Sequence, residues 1–233
     1  MTAALAPSLT FEVGGDVVRV RCSTVADGDF HIDGSRSALF HRRAAFEPGR
    51  WTQPDEVHGT VVRRVGYPGE HDLDIADAVV TRCRGAVLAA WVGDCAPVVF
   101  IGDDGTIAAA HAGWSGALDG VLQATVNAMR AAAPAVPVRA VLGPCIHACC
   151  YEFGPELLAQ FAARFGSQVT GTTAWGTPAL HMPSVVAAAC AEVGVPLLDR
   201  SSCTGCHPDL FFSHRVRGQR GRQVMTISKR AAA

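Results

Sequence analysis

Three short apolar runs fill most of the stretch between Ala86 and Ala112: AVLAAWV at 86–92, PVVFI at 97–101 and TIAAA at 106–110. Turn residues separate them, with Asp103-Asp104-Gly105 the clearest, so they read as consecutive buried strands rather than as helix. Cys95 and His111 stand where these runs stop. A thiol and an imidazole at such positions face outward from a sheet rim, and the small pair Ala112-Gly113 lets the backbone turn sharply into a helix. His58 lies in a similar setting, Val57-His58-Gly59, beside another β-rich run.

The remaining chain supplies elements around this block. LTFEV (9–13) and VVRVRC (17–22) flank Gly14-Gly15-Asp16 as a hairpin, and 23–53 is loop-rich with a short helix at 36–46. Strands are expected at 61–65, 77–81, 138–142 and 223–227. Leu118, Val121, Leu122, Thr125 and Met129 share one helical face, which predicts a helix over 117–133 ending near Pro134. Pro155 and Pro183 open two further helices, to about 165 and 193.

Of the 233 residues, 49% are hydrophobic and 18% charged, with a net charge of -1, so neither nucleic acid nor an anionic membrane is an expected partner. The start, MTAALAPSL, lacks a basic segment followed by an apolar core. No apolar run approaches the roughly 18 residues that span a bilayer, and a cytoplasmic protein is the expectation. Nothing in the sequence fixes an oligomeric state, and a monomer is expected. Nine cysteines, two of them adjacent at 149 and 150, fit reduced thiols better than a disulfide framework.

Taken singly, His58, Cys95 and His111 read as satisfied strand-end histidines and a core thiol. Their shared setting beside strand ends singles them out, with Asp94 as a supporting carboxylate. If they converge, two imidazoles and a thiolate suit zinc and leave a fourth position open. The same donors suit copper, but no methionine is adjacent as an axial ligand, and the nine histidines include no His-x-His pair for a multicopper centre. Cys203-x-x-Cys206 reads as packed thiols, or, with Cys145, Cys149 or Cys150, as a structural zinc site or redox disulfide. The arginines at 215, 217, 220 and 222 form a solvated face or a phosphate contact. Gly113-Trp114-Ser115-Gly116-Ala117 lacks the last glycine of a nucleophile elbow, and neither a Walker loop nor a dinucleotide fingerprint is present.

The blocks VHGTVV, DAVVT, DCAPV, AAHAGWSGALDGVL, LGPCIHACCYEFG and SSCTGCHPDLFFSHRVRGQRGRQ occur in the order and spacing of the YfiH-like, laccase-domain family, formerly described as multicopper polyphenol oxidases. The chain resembles that family over about 20–227. The resemblance implies an α+β fold, a single-domain α-β sandwich with mixed β-sheets over 1–233. It also implies a metal trio of His58, Cys95 and His111. The implied reaction is phosphorolysis of adenosine, inosine or methylthioadenosine, with adenosine deamination as a side activity, and purine nucleoside and phosphate as small-molecule partners. Zinc is the expected cofactor, with copper as the alternative. Arg42, Arg43 and Arg222 are candidates for phosphate and Asp94 for orienting a ligand. Glu56, Gly93, Ser115 and His214 replace the family's usual Gln, Ala, Arg and aromatic residue, which bears on substrate preference. The family also suggests an amidohydrolase editing a peptidoglycan precursor, with Cys95 as nucleophile and His111 as its base. A copper polyphenol oxidase and an accessory protein with a vestigial pocket are the remaining alternatives.

Overall fold

The computed structural model describes residues 8–131 and 133–232. The expectation drawn from the first seven residues, and the helical one for residue 132, lie outside the described residues. In chain order, β1 (Leu9–Val13) and β2 (Asp16–Cys22) form the expected hairpin, and α1 (Arg36–Phe46) starts where Ser35 accepts a hydrogen bond from the Ala38 N–H. β3 (Arg50–Thr52), β4 (Val62–Val65) and β5 (Ala78–Thr81) lead into β6 (Ala86–Val92), β7 (Ala96–Gly102) and β8 (Ile107–Ala112). Then come α2 (Trp114–Asp119), α3 (Val121–Arg130), β9 (Val138–Leu142) and α4 (Pro155–Phe165). The last part holds β10 (Thr170–Thr172), β11 (Pro178–Leu180), α5 (Met182–Glu192), β12 (Leu197–Asp199), α6 (His214–Arg217) and β13 (Gln223–Ala231).

Two mixed sheets carry the fold, one ordered β1-β2-β13-β6-β3 and the other β12-β9-β7-β8-β5-β4, with β10 and β11 as a separate ribbon. Val18, Val20, Leu88, Met225 and Ile227 of the first sheet pack on Val79, Val99, Ile101, Ile107 and Val141 of the second. The opposite face of the second sheet, with Val98, Phe100, Ala108 and Ala110, is covered by helices through Leu122, Val126, Phe161 and Val186. Outside the first sheet, Leu39 and Phe46 of α1 cover Val87, Ala89 and Val224. Four layers result, and they explain the unbroken apolar runs: both faces of β7 and β8 are buried. Each fully buried aliphatic or Phe side chain contributes roughly 1.5–3 kcal/mol by leaving water.

The 117–133 expectation differs in one respect. Gly120 has φ +99°, which ends α2 and starts α3, so the apolar period continues across two helices. The edge strands β3, β10, β11 and β12 and the single turn α6 were not predicted, because elements of three or four residues carry no readable period. Among the described residues, no helix is long and apolar enough to cross a membrane.

Candidate active site

Strand register builds the site. β7 and β8 are antiparallel, with Pro97 opposite His111 and Ala96 opposite Ala112, so Cys95 before β7 lies beside the end of β8. On the other side of β8, β5 is also antiparallel, with Ala78 opposite Ala110, which brings Asp77 next to His111. Since β4 is parallel to β5, the loop entering β4, with His58, reaches the same rim.

Asp77 ties these pieces together. Its Oδ1 accepts the His58 N–H at 2.8 Å and meets His111 Nδ1 at 2.9 Å, while its Oδ2 accepts the Gly59 N–H at 2.7 Å. These bonds hold His58 at φ +62°, a left-handed conformation that a residue with a side chain adopts only when its surroundings impose it. Ser115 adds a hydroxyl donating to the His58 carbonyl at 3.1 Å. The His58 and His111 rings meet edge to face at 4.7 Å, and Cys95 Sγ is 3.6 Å from His58 Nε2. One donor atom from each of His58, Cys95 and His111 lies within 4.8 Å of the others, a cluster of metal-ligand type. With Nδ1 engaged by Asp77, His111 keeps Nε2 for a metal.

Gly113 is required by this packing, because a methyl group there would overlap the His58 ring. If the trio holds zinc, Gly113→Ala is expected to weaken its affinity at least about tenfold, the lower end of the usual loss when ligand orientation is disturbed. A chelator-competition titration checks this, and unchanged affinity in a folded variant would contradict the packing account.

Charge at the site follows from burial and these contacts. Burial pushes the Glu56 carboxyl up to about 8, against the opposing pull of His111 and the Trp91 N–H. Glu56 Oε2 stands 3.8 Å from His111 Nδ1, and its Oε1 accepts the Trp91 N–H at 2.9 Å. Burial alone would raise the Cys95 thiol, but His111 and His58 outweigh it and bring the thiol down to about 6. Burial likewise opposes charge on His111, yet Glu56, Cys95 and Asp77 hold its pKa well above the ordinary imidazole value.

The trio opens into a pocket of about 320 Å³, within the size range of small-molecule sites. Trp91, Trp114 and Tyr151 give it aromatic walls, and Arg215 and Arg222 supply cations. Register explains Arg222 as well: Gln223 of β13 pairs with Val92 of β6, so the preceding arginine lies against Gly93, where a methyl would crowd its guanidinium at 3.1–3.2 Å. Asp94 also lines this pocket but does not support the trio. Its carboxylate instead accepts from Thr204 Oγ1 (2.6 Å), Ser213 Oγ (2.8 Å) and the Arg215 N–H (2.6 Å), anchoring the C-terminal segment. Arg42 and Arg43 are not brought to the pocket. Arg43 is buried on α1, paired with Asp72 at 2.8 Å and hydrogen-bonded to Gln53, while Arg42 donates to the Asp29 carbonyl.

The family model described as multi-copper polyphenol oxidoreductase laccase matches residues 22–230. The chain belongs to this YfiH-like, laccase-domain family. It is 39% identical over 178 residues to a purine nucleoside phosphorylase of Streptomyces coelicolor, covering 73% of this chain and 72% of that protein. It is 31% identical over 165 residues to an adenosine deaminase from an unknown prokaryotic organism, covering 67% of this chain and 63% of that protein. The crystal structure of YfiH from Bacillus licheniformis has the same fold, with a TM-score of 0.78 at 22% identity over 95% of this chain and 98% of that one.

Sequence reasoning missed Asp77 as the organiser of this laccase-domain site and the aromatic walls Trp91, Trp114 and Tyr151. The DAVVT run marked a strand, but nothing in it indicated what its leading carboxylate would face.

Proposed function

We propose that the chain is a purine nucleoside phosphorylase that also deaminates adenosine, working in the His58–Cys95–His111 pocket with a bound zinc ion. The observation that carries this reading is the convergence of two imidazoles and one thiol, from three separate segments, on a pocket with aromatic walls and two arginines. The activities named for the Streptomyces and deaminase relatives support it. His58, Cys95 and His111 would hold zinc through three donors and leave one position open, the pattern of catalytic rather than structural sites. When bound, zinc supplies a Lewis acid that polarises a substrate oxygen and acidifies water. Copper polyphenol oxidation is the poorer reading, because among the described residues no further cluster of imidazoles stands beside this trio.

The chain's own residues cover the other requirements. Trp91, Trp114 and Tyr151 offer faces on which a purine stacks. Arg215 lies over the Tyr151 ring, 4.9 Å from its centroid. Arg222 NH1 is fixed by the carbonyls of Gln219, Arg220 and Gly221 at 2.8–3.0 Å, so a guanidinium is already oriented before phosphate arrives. In phosphorolysis a phosphate oxygen bonds to the sugar carbon as the C–N bond breaks, and the purine leaves with the electron pair and gains a proton. Cations placed for phosphate stabilise the charge that develops.

Incubation with adenosine, inosine and methylthioadenosine, with and without phosphate, tests the reading by chromatography. Free base and sugar phosphate should form only with phosphate, and adenosine should yield inosine without it; no product from any of the three would overturn the proposal. Arg222→Ala should raise KM for phosphate about tenfold or more, the scale of a charge-assisted hydrogen bond. Deamination, which takes no phosphate, should change much less, and equal losses in both reactions would remove Arg222 from phosphate binding.

A further inference from the structure

A second cluster lies outside the pocket. β9 and β12 are parallel neighbours, with Leu197 opposite Ala140 and Asp199 opposite Leu142, so the segments that follow them leave the sheet together. Cys145 and Cys203 form an isolated parallel backbone β-bridge, and the Thr204 N–H donates to the Cys145 carbonyl at 3.1 Å. This pairing lays the short turn Ala148–Cys150 over the Cys203-Thr204-Gly205-Cys206 turn. Cys149 Sγ is 3.5 Å from Cys203 Sγ and 3.4 Å from Cys206 Sγ, and Cys150 Sγ is 3.5 Å from Cys206 Sγ. All four sulfurs lie within 4.8 Å of one another, and none is joined as a disulfide.

We propose that Cys149, Cys150, Cys203 and Cys206 bind a structural zinc ion of their own, separate from the His58 pocket. Four thiolates at about 2.3 Å from a tetrahedral zinc stand about 3.8 Å from one another, close to the spacing already present. Three further observations favour a ligand set over packed thiols. Cys206 is exposed, whereas a thiol that serves only as core is buried. The His147 N–H points at Cys203 Sγ at 3.4 Å, the kind of donor that supports a ligating thiolate. Gly205 clears the space for Cys150, because a methyl there would stand 2.8 Å from the Cys150 sulfur. Cys145, although its backbone pairs with that of Cys203, is buried and is not among the four.

Four protein ligands leave no open position, so this zinc would fasten structure rather than act on substrate. It would join the turn leading into Tyr151 to the turn holding Thr204, whose hydroxyl anchors Asp94 and whose carbonyl accepts from Arg217. The proposal does not rest on the nucleoside reading, and its test reads metal rather than turnover.

The full-length protein is produced in zinc-supplemented medium, dialysed under reducing conditions and assayed for zinc by plasma mass spectrometry, then stripped and titrated with Co²⁺. The Cys203→Ser/Cys206→Ser variant should hold one zinc fewer than the parent. Cobalt-loaded Cys95→Ser should keep the charge-transfer strength of four thiolates and tetrahedral ligand-field bands, and the double variant should lose them. Equal zinc content in a folded double variant would overturn the proposal, as would disulfides among these four cysteines in the zinc-loaded protein. If the double variant fails to fold, the cobalt spectrum of Cys95→Ser decides alone, and the absence of a four-thiolate signature there is a refutation.

Discussion

Cys95→Ser and His111→Ala should each lower phosphorolysis and adenosine deamination together, by about 10²-fold or more, the usual scale when catalytic electrostatic groups are removed. The two losses should track each other if, as proposed, one metal held by the trio serves both reactions. Zinc measured on the same samples should fall by one equivalent, the four-thiol site keeping its own. The competing account makes Cys95 a nucleophile, as in an amidohydrolase, and a specific observation favours it: the thiol touches His58 at 3.6 Å, and the two histidines bring it down to about 6. Chelation separates the two. If metal-stripped parent protein retains full nucleoside activity while Cys95→Ser abolishes it, the thiol performs the chemistry directly and the zinc reading fails.

The strands bearing Cys95 and His111 were legible because burial on both faces writes an unbroken apolar run, and turn residues mark where each run stops. His58 was legible from its glycine and the β-rich run that follows. What could not be read was register. The DAVVT segment announces a strand, but only the pairing of Ala78 with Ala110 places Asp77 against His111. Asp94, adjacent to Cys95 in sequence, was the natural choice for a supporting carboxylate, yet both lie in the bend between β6 and β7, where sequence neighbours need not share a direction. It turns instead to Thr204, Ser213 and Arg215, more than a hundred residues away. Arg42 and Arg43 lie away from the pocket for a related reason. Arg43 offers its guanidinium to Asp72 and the face of Trp51, a structural use that residue type alone does not distinguish from anion capture. The four-thiol cluster was half visible as C-x-x-C. Its other half depended on the parallel pairing of β9 with β12, and a three-residue strand such as β12 leaves no pattern to follow.

Asp77→Asn is the sharpest test of that hidden register. Burial opposes ionisation of Asp77, but His111 and the N–H groups of Gly59 and His58 hold its carboxyl below the ordinary range, so it is an acceptor at both oxygens. An asparagine has only one acceptor oxygen. If that oxygen faces Gly59, the amide NH2 is directed at the His58 N–H and at His111 Nδ1; if it is flipped, the NH2 meets the Gly59 N–H. In either case a part-buried donor faces a donor, which costs up to about 1–3 kcal/mol. In the first case His111 also accepts at Nδ1 and carries its proton on Nε2, the tautomer that cannot ligate a metal. Zinc affinity should therefore fall about 10–100-fold, with both nucleoside reactions falling alongside it, while circular dichroism shows the sheets intact. Zinc bound as tightly by Asp77→Asn as by the parent would mean that Asp77 does not orient His111. Glu56, 3.8 Å from the same nitrogen, would then take that role, and Glu56→Gln rather than Asp77→Asn would be the variant that releases the metal.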